Sequence, residues 1–84
     1  MQGSVTQAID FAQRAVAMHL KVHGSTHPET GWGYDALGRA YQSDKRLAQA
    51  EEAFQNALVI FEANYASNHK SVQMTRELMQ AVQM

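Results

Sequence analysis

An internal repeat is the feature of this sequence that most constrains its fold. When the chain is compared with itself at an offset of 42 positions, as from His27 to His69, identical residues coincide along one helix-like segment and the loop after it. A period of this length is typical of stacked helical hairpins, in which each unit buries its apolar face against its neighbours. The identical pairs are Gln7/Gln49, Ala8/Ala50, Gln13/Gln55, Ala15/Ala57, Ser25/Ser67 and His27/His69.

The apolar residues recur at intervals of three and four, which predicts amphipathic helices and an all-α fold. Ser4 and Asn68 are predicted N-caps, Gly24 is the predicted end of the first helix, and Pro28 is the predicted first residue of the second. The short loops between the segments predict that consecutive helices are antiparallel. The four predicted helices cover residues 4–23, 28–43, 47–65 and 69–84.

The second predicted helix contains Gly31, Gly33 and Gly38, although glycine is unfavourable inside a helix. We expect close approach of another helix at these positions. Gly38 and Ala50 are small where the two helices of a hairpin cross, and Tyr41 and Phe54 fill the wider gaps beside them. The spaced set is Tyr34, Leu37, Gly38 and Tyr41, followed by Ala50, Phe54 and Ala57.

This pattern resembles the tetratricopeptide repeat, whose general form has Trp at the position of Tyr34. The loop "HPET" and the long period resemble the kinesin light chain type, in which each helix is extended. The resemblance implies antiparallel hairpins stacked into a right-handed superhelix of about four helices. It extends over one domain, residues 4–84, with a full repeat at 28–65, a second-helix half repeat at 4–23, and a degenerate or capping first helix at 69–84.

The resemblance also implies a function, which is a non-enzymatic scaffold that binds a peptide or protein segment on a concave face. The first helices of the repeats build that face. Trp and Arg are frequent in binding hot spots, although Asp35 and Arg39 also have the spacing of a plain surface ion pair. The predicted partner-binding residues are Trp32, Asp35, Arg39, Gln42, Met74 and Glu77.

Self-association is the alternative function. The first helix lacks the hairpin partner that the repeat would give it, and an apolar face of a small domain is unfavourable in water. Ile9, Phe11 and Val16 are the candidate contacts of a homodimer or of a helix exchanged between copies. The start of the pattern in mid-repeat is equally expected for a fragment of a longer repeat array.

Charge and composition argue against several other classes. The formal net charge is −1 and only 18% of the residues are charged, so we expect no nucleic-acid partner, which needs a concentrated basic face. No apolar run approaches the ~20 residues that cross a bilayer, and there is no signal-peptide pattern. We therefore expect a cytoplasmic protein with a protein or peptide partner, without a membrane and without a cofactor.

The histidines are the remaining candidates for chemistry. His19 and His23 are one helical turn apart, a spacing that can bring two imidazoles to one metal ion, and His27 or Glu29 could supply a third ligand. His27 and His69 recur at the same place in the repeat, however, which favours a structural role near a helix start. The sequence also contains no nucleophile motif and no phosphate loop. We therefore predict that the chain is not an enzyme.

Overall fold

The structure is a computed structural model that describes residues 2–83, with side chains from residue 6 onward. Over these residues the all-α prediction is confirmed. Each helix packs on its neighbours in the chain, and the contact between α2 and α3 is the most extensive, so the fold is a row of helical hairpins. The helices are α1 (Gln2–His23), α2 (Pro28–Ser43), α3 (Leu47–Asn64) and α4 (Lys70–Gln83).

Most helix ends agree with the sequence prediction. Gly24 has a positive φ of 89°, and its N–H donates to the carbonyl oxygen of Leu20 at 3.1 Å, as expected for the residue after a helix. Pro28 begins α2 as predicted. The prediction for Ser4 is wrong, because α1 begins at Gln2 and Ser4 therefore lies inside the helix.

Histidine caps the N-termini of both α2 and α4. Nδ1 of His27 accepts a hydrogen bond from the backbone N–H of Glu29 at 3.0 Å, and Nδ1 of His69 accepts one from Ser71 at 3.1 Å. Each bond satisfies one of the unpaired N–H groups of a first helical turn. The predicted structural role of the two histidines is therefore confirmed, whereas the prediction that Asn68 caps α4 is wrong.

The core joins all four helices. Ile9 and Val16 of α1 pack with Leu37 and Tyr41 of α2, and Val82 of α4 belongs to the same cluster. The α3 members of this cluster are Ala50, Ala53 and Phe54. A second cluster consists of Ala57, Leu58, Phe61 and Val72. The apolar spacing thus predicted the four helices, although it did not separate the buried from the exposed apolar residues of α1.

Gly31 and Gly38 of α2 permit the close packing of α3, whereas Gly33 lies against α1. A Cβ atom at Gly38 would lie 2.5 Å from the Phe54 ring, and one at Gly31 would lie 2.8 Å from the Phe61 ring. Real Cβ atoms do not approach other atoms so closely, so these positions require glycine. The prediction of a close helix approach is confirmed. Both glycines face aromatic rings of α3.

The other residues of the repeat pattern lie in or beside this contact. Tyr34 is half-buried and packs on both clusters. The hydroxyl of Tyr41 accepts a hydrogen bond from Nε2 of Gln13 at 2.8 Å, which links α2 to α1. The fully buried members are Ala50, Phe54 and Ala57.

Candidate functional site

Trp32 lies on α2 with its ring partly in solvent. One part of the indole contacts Phe61 of α3, with the ring centroids 4.9 Å apart and the ring planes inclined by 58°. The residue still has 40% of its surface exposed. Such a ring presents a large apolar surface in a fixed orientation, and this lowers the entropy that a partner loses on binding.

Asp35 and Arg39 form an ion pair one helical turn apart on the same helix. Nε of Arg39 lies 3.3 Å from Oδ2 of Asp35, and the carboxylate is buried while the guanidinium is half exposed. The other oxygen, Oδ1, is buried without a hydrogen-bond partner. Burial raises the pKa of Asp35 above its ordinary value, and the charge of Arg39 and its hydrogen bond act in the opposite direction.

This geometry differs from an ordinary surface pair. Two exposed partners contribute little to stability or to orientation. Here a buried carboxylate holds one nitrogen of an exposed guanidinium, so Arg39 is presented to solvent from a fixed point on α2. Arginine in such a position can bind a carboxylate or a carbonyl oxygen of a partner.

The other three predicted binding residues are less closely grouped. Gln42 is half-buried near the end of α2, which carries Trp32 and Arg39 as well. Met74 is half-buried and Glu77 is exposed on α4, which packs on α3. The structure therefore brings the α2 residues together on one helix, and a shared surface with the α4 residues stays a prediction.

An apolar groove runs between α1 and α2. We call it the α1–α2 groove. Ala8, Phe11 and Ala15 line it from α1, and Ala36, Arg39 and Ala40 line it from α2. Phe11 is 78% exposed, and Met18 and Val22 farther along α1 are 53% and 67% exposed.

The three self-association candidates have different environments. Ile9 and Val16 are buried in the core against other helices of the same chain, so they do not lie on an open face. Phe11 lies on the opposite side of α1 and is exposed. Met18 and Val22 were not among the predicted contacts, although their spacing from Phe11 and Ala15 is the signal that would have found them.

The histidines form part of two equivalent rows of stacked rings. His23 stacks on His19 with centroids 5.5 Å apart and on His27 at 4.4 Å. At the offset of 42 positions, as from His27 to His69, the second row consists of Phe61, Tyr65 and His69.

Stacking is a poor arrangement for metal binding. The lone pairs of imidazole lie in the ring plane, so nearly parallel rings direct their nitrogens side by side and not toward one ion. Nδ1 of His27 is also occupied by the N–H of Glu29. Within residues 2–83, no group of three His, Cys, Asp or Glu side chains could hold a metal ion.

Comparison with known proteins gives the family. The family model described as "Tetratricopeptide repeat" matches residues 1–71. The chain belongs to the tetratricopeptide repeat family. Tetratricopeptide repeats generally mediate protein–protein interactions and are typically non-enzymatic. Searches of the curated proteins and of the solved structures found no match.

Among the helices that the structure describes, none combines the length and the apolar character needed to cross a bilayer.

Proposed function

We propose that this tetratricopeptide repeat chain is a non-enzymatic interaction module. It binds a peptide or protein segment along the face of α2 and α4 that the resemblance makes concave. The observation that carries the proposal is Trp32, because an exposed indole braced against Phe61 has the properties of a binding hot spot. The kinesin light chain type of repeat remains a prediction from the loop "HPET" and the long period.

Recognition would combine one apolar anchor with oriented polar groups. An apolar side chain of the partner packs on the exposed part of Trp32 and removes it from water. Arg39, held by the buried carboxylate of Asp35, donates to an acceptor on the partner. Glu77 and Gln42 contribute polar contacts, and the flexible side chain of Met74 adapts to the bound segment.

The test begins with peptides selected on the wild-type chain from a random linear display library. Trp32→Ala is expected to weaken the binding of the selected peptides by about 30-fold or more, since hot-spot truncations cost ~2 kcal/mol or more. Trp32→Phe keeps an aromatic ring and should retain most of the affinity. Fluorescence anisotropy of labelled peptides measures both variants.

Two controls separate lost binding from lost folding. Leu47→Ala removes a partly exposed apolar side chain of α3 and should leave the affinity unchanged. Far-UV circular dichroism should show the same helicity in all variants. Selected peptides that bind Trp32→Ala as tightly as the wild type would remove Trp32 from the site.

A further inference from the structure

Two histidines accept hydrogen bonds through a ring nitrogen that takes up a proton in acid. Nδ1 of His27 accepts from the backbone N–H of Glu29 at 3.0 Å, and Nδ1 of His69 accepts from that of Ser71 at 3.1 Å. A backbone N–H can only donate, so Nδ1 of both rings carries a lone pair and the ring proton lies on Nε2. Each cap therefore exists only while its imidazole is neutral.

Protonation of either ring removes the cap and adds a second unfavourable effect. Both nitrogens of an imidazolium are donors, so Nδ1 and the backbone N–H would face each other as two donors. The new positive charge would also lie at the N-terminus of a helix, where the macrodipole favours negative charge. The unfolded chain bears neither cost. The caps therefore stabilise the fold above about pH 6.5, where histidine ordinarily titrates, and this contribution is lost as the pH falls.

The groups around His27 come from three helices. Glu29, in the first turn of α2, would balance part of a charge on His27. From α1, the ring of His23 stacks on His27 with the centroids 4.4 Å apart, and Lys21 lies in the same last turn. Asn64 of α3, a neutral side chain, donates to the backbone of this loop. Two protonated rings in one stack would repel each other, which opposes a proton on His27 in the folded chain.

The groups around His69 come from α3 and α4. Lys70 follows it directly and opposes a second positive charge. The carboxylate of Glu62 on α3 is already paired with Arg76 of α4 at 2.7 Å. The Tyr65 ring stacks on His69 at 4.0 Å, and a cation on that ring would regain about 0.5–1 kcal/mol. Loss of the cap, together with a charge at the helix N-terminus, costs more than this gain.

We propose that His27 and His69 form a pH-sensitive switch, which loosens the loops before α2 and α4 in mildly acidic solution. The two caps occupy equivalent places in the repeat, so one fall in pH acts on both loops. The rest of the loop before α2 keeps its own anchor, because Oγ1 of the buried Thr30 donates to the carbonyl oxygen of Gly24 at 2.7 Å. The switch concerns the fold itself and does not depend on the Trp32 site.

NMR spectroscopy tests the state of each ring directly. Long-range 1H–15N correlation spectra at about pH 7.5 should show His27 and His69 as neutral rings with the proton on Nε2. At about pH 5.5, one unit below the ordinary titration point of histidine, the backbone N–H groups of Glu29 and Ser71 should have lost protection from solvent exchange. The N–H of Gln49, in the first turn of α3, should keep its protection and serves as the control.

Asparagine separates capping from titration, because it is a preferred N-cap that does not titrate. The double variant His27→Asn with His69→Asn should keep most of the neutral stability. Between about pH 7.5 and 5.5, the unfolding equilibrium constant of the wild type should rise relative to this variant by about fivefold per histidine, the factor of a typical N-cap. Urea denaturation measures both proteins. Both retain Asp35, so its opposite dependence on pH cancels in the ratio.

Two further variants identify the cap as the cause. His27→Ala with His69→Ala lacks both caps at every pH, so it should be less stable than the wild type at neutral pH and approach it in acid. His23→Gln removes an exposed ring of the stacked row but no cap, so the response of the wild type to pH should remain.

Three outcomes would overturn the proposal. One is a ratio between the wild type and the double asparagine variant that does not change with pH. Another is a proton on Nδ1 of His27 and His69 at neutral pH, which would show that these rings do not accept from the backbone. The last is loss of the pH response in His23→Gln, which would assign the response to the stacked row and not to the caps.

Discussion

At the scale of single residues, Asp35 combines two opposed requirements. Its carboxylate holds the guanidinium of Arg39, but it is buried and one of its oxygens has no hydrogen-bond partner. A buried charge of this kind is destabilising unless it is fully paired. The residue therefore favours orientation of Arg39 at some cost to the stability of the fold.

The pH dependence of this carboxyl group follows from its pKa. Burial raises the pKa of Asp35 in the folded chain, so the folded state binds more protons than the unfolded state between the two pKa values. The corresponding contribution to stability is fully present below the unfolded-state pKa and is lost as the pH rises through the folded-state pKa.

Asp35→Asn should therefore stabilise the protein at neutral pH. The amide is neutral and nearly isosteric, so we expect the free energy of unfolding to rise by about 1 kcal/mol, the difference between removing a buried charge and losing a half-exposed ion pair. The gain should disappear in acid, where Asp35 itself is neutral. Urea denaturation across the pH range measures it, and Asp10→Asn, at an exposed pair, is the control. An equal gain at all pH values would contradict this account.

At the scale of helices, the sequence predicted most of what the structure contains. The three- and four-residue spacing identified all four helices, because burial of one face leaves that pattern in any amphipathic helix. The histidine N-caps were harder to assign, because Asn is a preferred cap and Asn68 directly precedes His69. Only the geometry shows that the Nδ1 atom of His69, and not a side chain of Asn68, accepts from the first turn of α4.

The contact between α2 and α3 gives a prediction at the same scale. Gly38→Ala improves helix propensity by up to ~1 kcal/mol, yet the new Cβ would lie 2.5 Å from the Phe54 ring. Overpacking of this kind costs about 1–3 kcal/mol, so we expect a net loss of stability in urea denaturation. The cost should shrink in a Phe54→Leu background, where the smaller side chain leaves room.

A double-mutant cycle makes this prediction specific. Ala36→Gly, at an exposed position of α2, measures the propensity difference alone and serves as the control. If Gly38→Ala destabilised the wild type and the Phe54→Leu variant equally, the Phe54 ring would not be what excludes a side chain at position 38.

At the scale of the whole molecule, the two core clusters are not independent. Tyr34 of α2 and Met79 of α4 each pack against both clusters. Residues shared in this way couple the unfolding of one part to the other, although repeat proteins can otherwise unfold unit by unit.

We therefore predict a single cooperative unfolding transition. Trp32, the only tryptophan, reports on the contact between α2 and α3 through Phe61, while far-UV circular dichroism reports on all the helices. The two urea denaturation curves should coincide in the wild type. They should separate in the double variant Tyr34→Ala with Met79→Ala, which removes both shared side chains. Separate curves in the wild type would show that the clusters unfold independently.

The candidate surfaces were only partly predictable from the sequence. Trp32 and Arg39 follow from the repeat pattern, which fixes the face of α2 that each residue occupies. The burial of Asp35 does not, because it depends on how neighbouring helices pack around that face. The apolar spacing of α1 likewise does not distinguish Ile9, which is buried, from Phe11, which is exposed, since both belong to stripes of helical period.

The two rows of stacked rings have a consequence for engineering the chain. Each row contains two rings from the last turns of one helix and the ring of the histidine that caps the next helix. Because the three rings stack on one another, the loop that joins the two helices has a fixed length. Asn64 ties the two loop regions together by donating from Nδ2 to the carbonyl oxygen of Thr26 at 2.7 Å. Peptide tags and added domains are thus better inserted at the turn near Lys45, between α2 and α3, where no ring has to stay in register.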